Sequence, residues 1–97
     1  TFEPKCRNNW HIHHASNGGG QLLICVEGEG WYQEEGKSAQ SLKPGEVVKI
    51  PAEVKHWHGA KSNCWFSHLA VECPGDNTFN EWLEPVTDEI YYALEEK

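Results

Sequence analysis

Short apolar segments return at close, regular intervals along this chain, and most are closed by a glycine or a proline. Such punctuation favours antiparallel strands, because tight turns fold the backbone onto its neighbour and leave no room for the crossover helices of a parallel sheet. Gln21 to Glu27, rich in Leu, Ile and Val and bounded by Gly28 and Gly30, reads as a strand covered on both faces. Trp31-Tyr32-Gln33, the polar turn Glu34 to Lys37 and the return through Ala39 to Leu42 read as a hairpin. Pro44-Gly45 is a turn, Val47 to Ile50 a β-branched strand stopped by Pro51, and a further strand starts near Val54. Trp65 to Val71 alternates, with Phe66, His68 and Ala70 on one face. The pattern changes only near the end. Thr87 suits an N-cap, Asp88 and Glu89 suit the positive first turn, and Val86 is placed to staple onto Tyr91, which predicts a short helix over about 88–95. Tyr91, Tyr92 and Leu94 are its apolar handles, with Trp82 and Leu83 expected to pack nearby. The fold expected is all-β, an antiparallel sandwich or barrel with one terminal helix.

Ninety-seven residues are read as a single domain, 1–97, with a core of modest size. Fifteen acidic against eight basic side chains give a formal net charge of −7, which repels a phosphate backbone and argues against nucleic acid as a partner. The longest apolar run, Leu22 to Val26, is far short of the ~20 residues that cross a bilayer, so no membrane association is expected. A soluble, cytoplasmic protein is the expectation. The chain contains no methionine, including at position 1, so a segment ahead of Thr1 is also expected. Cys6, Cys25, Cys64 and Cys73 form no C-x2-C pair, which offers neither a zinc ribbon nor a thioredoxin-like motif, and they are read as reduced thiols.

The chemistry concentrates in the histidines. In an extended Trp10-His11-Ile12-His13-His14, alternation puts His11 and His13 on one face and His14 on the other. His56 and His58 share a face two positions apart. His11, His13 and His56, with the amide oxygen of Gln21, form a donor set for a divalent transition metal, and zinc, iron, nickel, copper or manganese all suit it. His58 and His68 are candidates for general acid/base work beside that metal. Tyr32 and Trp57 either line a pocket or fill the core. Gly18-Gly19-Gly20 is followed by a strand and no lysine, so it does not read as a phosphate-binding loop.

These residues resemble the two motifs of the cupin family. In the first, G-x5-H-x-H-x3,4-E-x6-G, His11, His13 and Gly28 match, and Gln21 stands in the glutamate's place; in the second, G-x5-P-x-G-x2-H-x3-N, Gly45, Pro51 and His56 match. Only 16 residues separate Gly28 from Gly45, as in small microbial members. The motifs occupy 11–28 and 45–60. Lys5 and Glu53 replace glycines, Ala60 replaces an asparagine, and the interval from His13 to Gln21 exceeds the pattern, so the glycines are expected to loop out and return Gln21 to its usual place. The resemblance implies an antiparallel double-stranded β-helix, or jelly-roll, barrel with a short C-terminal helix, and pairing as a homodimer. It is nearest to small cupins associated with carboxymuconolactone-decarboxylase-like proteins, some of which also carry glutamine at this point.

Exchanging a carboxylate for an amide removes one negative charge from the ligand set, which would make the metal a stronger Lewis acid. Two functions follow as expectations. One is a metal-dependent enzyme acting on a small oxygen-rich carbonyl, carboxylate or sugar-acid compound, by isomerisation, tautomerisation or oxidation. The other is a non-catalytic small-ligand-binding or sensor module, and a structural partner for another domain is a third.

Overall fold

The computed structural model describes residues 1–95. Ten strands precede one helix: β1 (His11–His14), β2 (Asn17–Gly18), β3 (Gln21–Gly28), β4 (Gly30–Glu34), β5 (Gln40–Leu42), β6 (Val47–Ile50), β7 (His56–Ala60), β8 (Phe66–Glu72), β9 (Gly75–Asp76), β10 (Phe79–Trp82) and α1 (Asp88–Glu95). All the strand pairings among the described residues are antiparallel. A five-stranded sheet runs β10-β1-β7-β4-β5, a three-stranded sheet runs β6-β3-β8, and a small ribbon joins β2 to β9. The two larger sheets face each other as the walls of a barrel, with side chains of both in one core. No helix among the described residues is long and apolar enough to cross a membrane.

The interior is apolar at one end and polar at the other. Leu23, Cys25, Tyr32, Leu42, Val48, Ile50, Ala60 and Phe66 form the apolar part. Two strands show how the polarity changes along their length. On β3 the inward side chains run Gln21, Leu23, Cys25, and on β7 they run His56, His58, Ala60, so each strand presents polar groups first and small or apolar ones last. Gly28 lies at the apolar end, at the close of β3, with φ of +77°, and a Cβ there would lie 1.7 Å from the Trp65 carbonyl oxygen. No other residue fits so close an approach with that backbone.

A second cluster covers the outer face of the five-stranded sheet. Trp10, Trp57, Val86, Tyr91 and Leu94 are buried there, with Trp31, Ala39 and Leu83 against them. Eight residues are too few for a stable helix in water, so α1 persists by docking. Thr87 caps it through Oγ1, which accepts the Ile90 N–H at 3.2 Å. Tyr91 donates its hydroxyl to the Ala60 carbonyl at 2.5 Å, and the Arg7 guanidinium lies over the Tyr91 ring and pairs with Asp88. Burying Tyr91 and Leu94 contributes roughly 2–3 kcal/mol each. Trp57 therefore belongs to the core under the helix, on the opposite side of β7 from the histidines.

Three details differ from the sequence expectation. The strand from Gln21 is covered on one face only: Leu22 and Ile24 are half-buried and Val26 is exposed. Trp82 does not pack beneath the helix but is 61% exposed, and its ring lies 4.6 Å from that of His11. The stretch Phe79–Trp82 is a full edge strand paired with β1. Its side chains are all exposed, so it carries none of the apolar alternation by which a strand is read.

The long interval before Gln21 holds a short paired strand, β2. Asn17 and Gly18 pair with Asp76 and Gly75, and the chain then re-enters the barrel through Gly20, which has φ of +91° and sits against the Ile50 carbonyl. Gln21 emerges opposite Ile50 and Glu72. Lys5 and Glu53, where the cupin motifs carry glycine, keep glycine-like backbones with φ of 72° and 70°.

Candidate metal centre

Strand alternation on β1 turns His11 and His13 inward, and antiparallel pairing of His11 with His56 brings β7 beside them. The imidazoles gather closely: ring centroids are 4.2 Å apart for His11 and His56 and 5.1 Å for both pairs involving His13. One ring nitrogen from each lies within 4.8 Å of the others, and all three residues are buried.

The rings are also fixed in the same tautomer. Each Nδ1 meets an oxygen that can only accept: Asn9 carbonyl at 2.8 Å for His11, Asn80 Oδ1 at 2.7 Å for His13, and Val54 carbonyl at 2.9 Å for His56. Nδ1 must therefore carry the proton, which leaves the lone pair on Nε2. For His13 and His56 that Nε2 is buried with no hydrogen-bond partner among the described residues. Buried acceptors are seldom left so, because the desolvation cost is on the order of 1–3 kcal/mol. Burial lowers the His56 pKa to about 4 and also lowers that of His11, so both rings are neutral at pH 7. Neutral imidazoles, Nδ1 tied to oxygen and Nε2 bare, are what a divalent metal requires. His11, His13 and His56 fit the metal that the sequence predicts.

Gln21 is buried at the polar end of β3 and donates its amide nitrogen to Glu72 Oε1 at 2.8 Å. A carboxylate accepts only, so the amide must turn its NH2 toward Glu72 and keep its carbonyl oxygen at the other end.

His58 and His68 form a separate pair, with ring centroids 4.9 Å apart and His58 6.1 Å from His11. Phe2 packs against both, at 5.7 Å from His58 and 5.1 Å from His68. Asn8 decides the His58 tautomer. Its Oδ1 accepts the His58 backbone N–H at 2.9 Å, so its NH2 must point at the ring, where it meets Nε2 at 3.0 Å. Nε2 is therefore the acceptor and Nδ1 bears the hydrogen, buried and without a partner. Burial holds the His58 pKa well below its ordinary value, and burial also lowers that of His68, whose Nδ1 is likewise without a partner. Tyr32 is buried beside this region, 5.7 Å from His56, and donates its hydroxyl to Glu34 at 3.1 Å. Its pKa is pushed up by burial, so it stays a neutral phenol. His14 lies outside, bridged by Glu53 at 2.6 Å and Glu81 at 2.7 Å, and those carboxylates raise its pKa.

Sequence reasoning named every histidine here and missed their supports. Asn8 and Asn9 lie in a polar stretch with no pattern, Asn80 lies on the unrecognised edge strand, and Glu72 lies one residue beyond the strand read from Trp65 to Val71.

Known proteins bear on this geometry. The chain is 43% identical over 91 residues to an (R)-mandelonitrile lyase of Granulicella tundricola, covering 94% of this chain and 66% of that one, so it spans a little under two thirds of that relative. It superposes with a TM-score of 0.82 on the crystal structure of a cupin-like protein from Thermotoga maritima, at 42% identity, covering 96% of this chain and 67% of that one. Residues 1–69 match the cupin domain family, and these findings together place the chain in the cupin family.

Proposed function

We propose that this protein is a metal-dependent enzyme acting on a small carbonyl or α-hydroxy compound, with His11, His13, His56 and Gln21 as the metal's ligands. The observation that carries this reading is the common tautomer of the three imidazoles, with Nε2 of His13 and His56 buried and unpartnered. A divalent metal bound there supplies a Lewis acid for the substrate's oxygen. Zinc, iron, nickel, copper and manganese all fit the donors.

Cleavage of an α-hydroxynitrile, the reaction in the name of the Granulicella relative, stands first among the reaction classes. His68, through Nδ1, takes the hydroxyl proton; the bond from carbinol carbon to nitrile carbon breaks with its electron pair leaving as cyanide, and the oxygen becomes a carbonyl. The proton passes to cyanide, which departs as hydrogen cyanide. The unpartnered Nδ1–H of His58 donates a hydrogen bond in the same space, and its buried ring stays neutral while doing so. Isomerisation or tautomerisation of uronates and β-dicarbonyls asks for the same polarised oxygen and base, and oxidation asks for a redox metal.

Metal analysis of the purified protein, followed by assays of mandelonitrile cleavage, proton exchange and oxygen uptake, tests the assignment. Cleavage that disappears on chelation supports it. Exchange alone moves the assignment to a tautomerase, and oxygen uptake to an oxidase. Metal-dependent carboxylate binding with no turnover would establish a non-catalytic binding or sensor module.

We also infer a homodimer built on the outer face of the three-stranded sheet. Val26, Val47, Leu69 and Val71 are 46–54% or, for Leu69, 55% exposed there, and the register sets Ile24 beside Val47 and Leu69, so the patch is continuous. A second copy of the same apolar face is its natural complement under two-fold symmetry. Light scattering that gives a dimer, converted to a monomer by Leu69→Glu, supports the interface; a monomeric unmodified protein rejects it. We place the protein in the cytoplasm, which suits its unpaired cysteines.

A further inference from the structure

We propose that Glu72 is a positioning residue of the metal centre: it holds the Gln21 amide from behind and supplies, one hydrogen bond away, the negative charge that a glutamine ligand lacks. This rests on the metal reading above. The contact follows from register. Gln21 and Glu72 are Cα partners across β3 and β8, at the rim where the inward faces of both strands turn polar. The bond from Gln21 Nε2 to Glu72 Oε1 is 2.8 Å, and it fixes which end of the amide is free. Without it, the amide could rotate by half a turn and present NH2, which cannot ligate a cation.

The charge also has a direction. Hydrogen bonds to ionised groups are short and strong, and a carboxylate drawing on the N–H end pushes electron density toward the carbonyl oxygen. Gln21 thus becomes a ligand part-way between an amide and a carboxylate. The negative charge missing from the ligand set has thus moved outward by one residue. Glu72 is exposed, so it reaches the site from its rim without the cost of burying an ion.

Cobalt(II) binding by the whole chain tests this. Glu72→Gln keeps an oxygen to accept from Gln21 and removes only the charge, whereas Glu72→Ala removes both. Calorimetry should show affinity about tenfold weaker for Glu72→Gln and up to about a hundredfold weaker for Glu72→Ala, the range found for groups that orient metal ligands. The visible d–d bands should shift in both. The exchanged pair Gln21→Glu with Glu72→Gln returns the charge to the ligand and the amide to the support, and should recover affinity to within about threefold. Unchanged affinity and bands in both single variants would overturn the proposal, as would an exchanged pair no better than Glu72→Gln. A protein that takes up no cobalt defeats the metal reading instead. The Gln21 contact is then decided on metal-free protein by NMR, where the Gln21 side-chain NH2 resonances should move upfield in Glu72→Ala; unmoved resonances would show that Glu72 does not hold the amide.

Discussion

The barrel holds two sets of histidines that differ in which nitrogen is tied down. In His11, His13 and His56 an oxygen holds Nδ1, so Nε2 is the free acceptor. In His58 the amide of Asn8 occupies Nε2, and Nδ1–H is left as a free donor. Residue type is identical and all four are buried, yet His11, His13 and His56 offer electron pairs inward and His58 offers a hydrogen. The lesson is that an imidazole's role is written in its neighbours, mostly backbone carbonyls and asparagines, and not in the histidine itself.

The contrast can be broken most severely at a ligand. His56→Ala should reduce bound metal from one equivalent to under about a tenth, measured by elemental analysis, because the remaining side chains no longer close round the ion when one imidazole is lost. His68→Ala should do the reverse: full metal content with turnover lowered by about 10²–10⁴-fold, the usual contribution of a general base. Should the two variants behave alike, the two sets are not functionally distinct.

Acid sharpens the comparison next. The His56 pKa is lowered from 6.5 to about 4, so between those values the unfolded chain takes up a proton that the native ring refuses. Stability of the metal-free protein should therefore be full above about pH 6.5 and decline as pH falls toward 4, with His56 alone contributing on the order of 3 kcal/mol of the loss. Thermal melts across this window check it, and a flat profile would show that His56 is not held neutral. His11 and His58, also lowered, act in the same direction. Asn80→Ala should weaken metal binding about tenfold by releasing the His13 tautomer while leaving turnover per bound metal nearly intact. Smallest is a control that touches neither set: Lys5→Gly relieves a positive φ and should leave metal binding unchanged, with stability raised by no more than about 1 kcal/mol, since glycine's extra freedom when unfolded offsets part of the gain.

How much was legible follows from the same physics. The barrel strands and the helix were readable because apolar alternation and capping residues are local signals, and the helix expected over about 88–95 is present. His11, His13 and His56 were readable because parity on a strand decides which side chains turn together. Asn80 and Glu72 were not, because their importance depends on strand pairings separated by more than fifty residues, and neither β10 nor the rim of β8 carries an apolar period. The uncovered face of β3 was misjudged because a run of Leu, Ile and Val looks the same whether a wall or open solvent stands behind it.

The edge strand β10 has a consequence for how this protein matures. Asn80 orients His13, and backbone bonds join Trp10 to Leu83 and Glu84, so an early-made imidazole waits for residues made some seventy positions later. During synthesis the nascent chain carries every nitrogen of its triad before His13 is aimed, whereas His11 and His56 take their orienting carbonyls from two residues away. Full cation capture is thus a late acquisition, reached only after β10 has closed over the opening strand, and a product lacking β10 would keep its histidines while losing the aim of His13.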